Sequence, residues 1–63
     1  MDNSKLIIAR ASEGLTISEL SELSGVSRHT ISRIEKGLTS PRPNILGKLA
    51  KALNKTVEYF IMN

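Results

Sequence analysis

Cysteine is absent from this chain. That excludes a disulfide framework and any thiolate metal site, and it leaves the core to stand on packing alone. The absence fits a reducing cytosol. No apolar run approaches the roughly eighteen residues that a membrane span requires, and no signal-peptide pattern is present. A soluble, cytoplasmic protein without membrane contact is therefore expected. Catalytic groupings are missing as well. The one histidine, His29, has hydroxyl residues near it, but no Asp or Glu is placed to orient it as a triad requires. Neither a glycine-rich phosphate loop nor a metal-ligand spacing occurs. We expect no enzyme activity, no metal, no cofactor and no small-molecule ligand.

Acids are also scarce in the second half. From Arg28 to Lys55 the sole acid is Glu35, against Arg28, Arg33, Lys36, Arg42, Lys48, Lys51 and Lys55. The net charge is +3, and four of the six acids, Asp2, Glu13, Glu19 and Glu22, precede residue 28. A basic half of this kind suits a polyanion, although a merely solvated basic surface would look the same by charge. With 63 residues, 40% of them apolar, the chain has room for one domain, residues 1–63, and a small core.

The most informative stretch is Leu15 to Gly37, which reads as two short helices hinged at Gly25-Val26. Thr16 is followed three residues later by Glu19, the spacing of a capping box. Ile17, Leu20 and Leu23 fall at three-residue steps and are expected on one face. Gly25 suits the left-handed residue that ends a helix, and Val26 can bury itself at the corner. Ser27 can cap the second helix, in which Ile31 and Ile34 face inward and Gly37 is the stop. Arg28, His29, Ser32 and Arg33 lie on or beside the opposite side, with Lys36 on the flank. Those side chains can donate to phosphates and base edges, as a helix does when a partner helix presents it to the major groove.

These residues, with others downstream, resemble the Cro/CI-type (XRE) helix-turn-helix repressors. The resemblance rests on Leu15-Thr16, Glu19-Leu20, Gly25-Val26-Ser27, Thr30-Ile31-Ser32-Arg33-Ile34-Glu35, Gly37, Pro41 and Leu49-Ala50-Lys51-Ala52-Leu53. Each motif is weak by itself; their order and spacing make the signal. It implies an all-α, five-helix, lambda-repressor-like DNA-binding domain with the helix-turn-helix at helices 2 and 3. It further implies that Arg10 of the first helix pairs with Glu35. Two positions depart from the family pattern. Ile17 stands where glutamine is frequent, and Pro43 where a larger apolar residue is preferred.

The rest of the chain reads consistently. Asp2 or Asn3 can cap a first helix running to about Glu13, with Leu6, Ile7 and Ala9 or Arg10 inward and Gly14 as its stop. Leu38 to Pro43 is a turn, and Pro43 can open a fourth helix. Ile45, Leu46, Leu49, Ala50 and Leu53 give that helix a broad apolar face. Gly47 in its middle marks either a close backbone contact or a tolerated flaw. Asn54 can take a left-handed C-cap, and Thr56 can cap a short fifth helix over residues 57–62.

For double-stranded DNA, the expected base contacts are Arg28, His29, Ser32 and Arg33, with Arg33 able to reach either a base or a phosphate. Arg28 is the first choice, because arginine makes bidentate bonds to guanine. Expected phosphate contacts are Thr16, Ser18, Ser27, Thr30, Lys36, Thr39, Ser40 and Arg42. Ile17 cannot make the backbone contact of the family's glutamine, so that contact is lost or moved to Thr16 or Ser18. Tyr59, Phe60, Ile61 and Met62 exceed what one face of a short helix buries, which suggests a homodimer or a following domain. Paired subunits would set two recognition helices about 34–36 Å apart on a palindromic operator. The alternative is a protein-interaction module on the same fold, an antitoxin or a co-regulator; the basic, aromatic-free Arg28 to Arg33 face favours DNA.

Overall fold

A computed structural model describes residues 3–62. It contains five helices: α1 (Asn3–Ser12), α2 (Ile17–Ser24), α3 (Arg28–Glu35), α4 (Pro43–Ala52) and α5 (Val57–Ile61). Helix α2 packs on α3 and α4, while α1 packs on α3 and α5, and α5 returns to α4. One cluster fills the space between them: Leu6 and Ala9 of α1, Leu20, Val26, Ile31, Ile34, then Leu46, Leu49, Ala50, Leu53 and Phe60.

Local chemistry accounts for most helix ends. Thr16 Oγ1 accepts from the Glu19 amide at 3.1 Å, and Glu19 Oε1 accepts from the Thr16 amide at 2.9 Å. This closes the capping box and satisfies two amides that the first turn leaves free. The Thr16 amide, by donating to the carboxylate, favours it over the acid. The Thr16 backbone bond, then its hydroxyl bond, hold the Glu19 pKa below the usual range. Gly25 ends α2 at φ 76°, a left-handed conformation in which a Cβ would strain the chain. Asn54 takes the same region at φ 57° after α4. Thr56 Oγ1 accepts from the Tyr59 amide and starts α5.

Packing revises five expectations. Asn3 is the first residue of α1, not its cap; its amide donates to the Glu35 carbonyl at 2.7 Å, while Asp2 lies outside the described residues. Ile7 is 38% exposed, because 100° per residue turns it away from the Leu6–Ala9 line. Leu23 is 63% exposed. Steps of three lag the helical repeat, so Leu23 is rotated off the face carrying Ile17 and Leu20, and Val26 fills the corner instead. Phe60, expected at an interface, is 1% exposed and belongs to the core, edge-on to Tyr59 with ring centroids 5.0 Å apart. Helix α5 itself stops at Ile61, and Met62 is extended.

Candidate nucleic-acid interface

Helix α3 is anchored by its apolar side and its two ends. Ile31 and Ile34 are 0% and 1% exposed, which turns Arg28, His29 and Arg33 to solvent. Ser32 is half-buried, so only part of its hydroxyl side is accessible. At the N-terminus, Ser27 Oγ accepts from the Thr30 amide at 3.2 Å and donates to Thr30 Oγ1 at 2.9 Å. Ser27 therefore spends its hydroxyl hydrogen inside the protein and leaves that of Thr30 for an outside acceptor.

The C-terminal end of α3 is tied to α1. Arg10 Nε donates to Glu35 Oε2 at 2.7 Å, and Arg10 Nη2 donates to Glu35 Oε1 at 3.0 Å. A third donor, Arg10 Nη1, reaches the Leu15 carbonyl at 2.9 Å. The two side chains are 19% and 9% exposed. A fork-to-fork pair at this depth sets orientation as well as energy. The Glu35 hydrogen bond, with the charge of that carboxylate, raises the Arg10 pKa against an opposing contribution from burial. The pairing has an electrostatic consequence: the one acid of α3 is compensated, and Arg28 and Arg33 on the outward side face no uncompensated acid of that helix.

Two threads of residues leave the first turn of α3. On one side, Arg28 Nη1 donates to Ser18 Oγ at 3.4 Å, joining α3 to the first turn of α2, where Thr16 is also exposed. On the other side, Thr30 lines a cleft of about 280 Å³ together with Thr39, Ser40 and Arg42. Ser18 is thus joined to Arg28, and Thr39, Ser40 and Arg42 share a cleft with Thr30, which Ser27 caps. Lys36, the C-cap of α3, stands at the far end, about 12 Å along the axis from Arg28 at 1.5 Å per residue. Arg42 is the N-cap residue of α4; its guanidinium has donors only and so cannot accept a cap bond, and the residue is exposed. The sequence offered Asn3 only as a possible cap of α1, whereas its side-chain amide clasps the last carbonyl of α3; a bond across 32 residues leaves no local signature.

The helix-turn-helix family model matches residues 6–60, from the core residue Leu6 to the core residue Phe60. The chain belongs to the Cro/CI-type helix-turn-helix family. An uncharacterised helix-turn-helix transcriptional regulator of Haemophilus influenzae is 43% identical over 53 residues, covering 84% of this chain and 54% of that protein. Another, from Mycobacterium tuberculosis, is 37% identical over 49 residues, covering 78% of this chain and 35% of that protein. The chain thus spans about half the length of the first relative and about a third of the second. No solved structure matches it. As a helix-turn-helix domain its second and third helices are α2 and α3, and the exposed side of α3 is the one that the motif offers to a groove. Among the described residues, no helix is long and apolar enough to cross a membrane.

Proposed function

We propose that this chain binds double-stranded DNA sequence-specifically as the DNA-reading domain of a transcriptional regulator, acting as a repressor on a palindromic operator. The observation that carries the reading is the outward side of α3. Arg28, His29 and Arg33 are exposed around a helix whose apolar side is buried and whose only acid is paired with Arg10. In this reading α3 enters the major groove. Arg28 reads a guanine, and His29, Ser32 and Arg33 make the remaining base contacts. Thr30, Thr39, Ser40 and Arg42 hold phosphates on one flank, and Thr16 and Lys36 hold them elsewhere, while Ser27 acts through Thr30.

A homodimer completes the reading. Ile61 and Met62 are 56% and 61% exposed, and Lys5 of α1 donates to the Met62 carbonyl. Ile8, one turn beyond Lys5, is 57% exposed. Two copies meeting through these residues would bury apolar area that one copy leaves in water. Tyr59 is half-buried beneath Lys5 and Lys55, whose ammonium groups lie 5.7 and 5.0 Å from its ring centre, so it contributes its edge at most.

The test is selection from a pool of random duplexes, repeated with Arg28→Ala and across a salt series. Enrichment of a near-palindrome, steep loss of affinity with salt, and loss of preference at one base per half-site in the variant support the reading. Absence of any enriched sequence overturns it. Sedimentation of the Ile61→Glu variant tests the dimer: a monomer where the parent chain is dimeric supports it, and a parent chain monomeric even on DNA removes it.

A further inference from the structure

The bond from Arg28 Nη1 to Ser18 Oγ links the first turns of α2 and α3. We infer that Ser18 is a positioning residue for Arg28, holding its guanidinium over the first turn of α3 so that it meets a base edge in one orientation. This departs from a phosphate-contacting role for Ser18, and it rests on the DNA-binding reading above.

Several features of the site support the assignment. Arginine has many rotamers, and an acceptor that restricts them before binding lowers the ordering cost on the complex. A neutral hydroxyl does so without cancelling the charge that DNA must meet, as a carboxylate would. The neighbouring carboxylate, Glu19, is drawn away into the capping box with Thr16. Residue 17, the other position of this turn, is an isoleucine packed against the core and offers no acceptor. Ser18 itself is exposed and takes no part in the apolar cluster, so its side chain has no packing role that would explain an effect. At 3.4 Å the bond is long, which limits the expected effect to the lower range for a hydrogen bond.

The experiment is a double-mutant cycle on the selected operator, using Ser18→Ala, Arg28→Ala and the pair, with Ser18→Thr as the variant that keeps a hydroxyl. Each protein is titrated against the operator, against a duplex changed at the base pair read by Arg28, and across a salt series. Ser18→Ala is expected to lower discrimination at that base pair about 2- to 5-fold, leaving the salt dependence unchanged. In the Arg28→Ala background it should have no effect, and Ser18→Thr should retain discrimination. The inference is overturned if Ser18→Ala weakens both duplexes equally, does so in either background and flattens the salt dependence, which is the signature of a lost phosphate contact. It is also overturned if Arg28→Ala leaves discrimination at every base pair intact. Failure of the parent chain to select any sequence defeats the DNA-binding reading itself, and is thereby distinguishable from failure of the role given to Ser18.

Discussion

Helices α3 and α4 each carry two basic residues, yet they are held by different means. Helix α4 buries Leu46, Leu49 and Ala50, and Leu53 follows at its end; its N-cap, Arg42, makes no side-chain cap bond. Helix α3 buries only Ile31 and Ile34, but polar bonds fix both of its ends: Ser27 with Thr30 at the start, and Arg10 and Asn3 with Glu35 at the finish. Apolar burial is strong and tolerant of small rotations, whereas directional bonds are weaker and set an angle. The division suggests that α4 supplies stability and that α3 is the element whose orientation matters.

The largest expected effect lies in α4. Leu49→Ala removes a side chain that is 0% exposed and should cost about 2–5 kcal/mol in denaturant unfolding, while the sequence preference of the remaining folded protein stays the same. Glu35→Ala in α3 should show the opposite balance. Removing one partner of a fully buried pair costs about 3–5 kcal/mol, and solvent access here reduces that to roughly 2 kcal/mol. Because it frees one end of α3, it should also degrade base preference in a duplex-selection assay. If Leu49→Ala changes preference and Glu35→Ala does not, the division between the helices fails.

A smaller effect sharpens the contrast from the other direction. A Cβ added at Gly47 would meet no atom within 4 Å. Of the two readings of this glycine, the close backbone contact is therefore ruled out. Gly47→Ala should stabilise the chain by up to about 1 kcal/mol, visible as a higher unfolding midpoint, with DNA affinity per folded molecule unchanged.

The smallest effect concerns the capping box of α2. Glu19 has its pKa depressed in the folded state, so its contribution to stability is present above the ordinary carboxylate pKa. That contribution is lost as pH falls through the lowered folded value. Glu19→Gln should remove this part of the acid dependence, which thermal melts of the two proteins through the acid range would reveal as converging curves at low pH.

Much of the molecule was legible along the chain because its signals are local. Thr16 with Glu19, Gly25, Ser27, Pro43, Asn54 and Thr56 each act within about four residues, and such caps operate whatever surrounds them. Five helices, their approximate ends and the cationic side of α3 could therefore be read from order and spacing. The resemblance supplied the Arg10–Glu35 pair, which periodicity alone could not join across 25 residues. Tertiary structure decided what depends on neighbours. It turned Leu23 and Ile7 outward, drew Phe60 into the core, set the Asn3 amide on the last carbonyl of α3, and brought Ser18 under Arg28. In helices this short, several faces carry enough apolar residues to be buried, and the choice falls to the elements that pack against them.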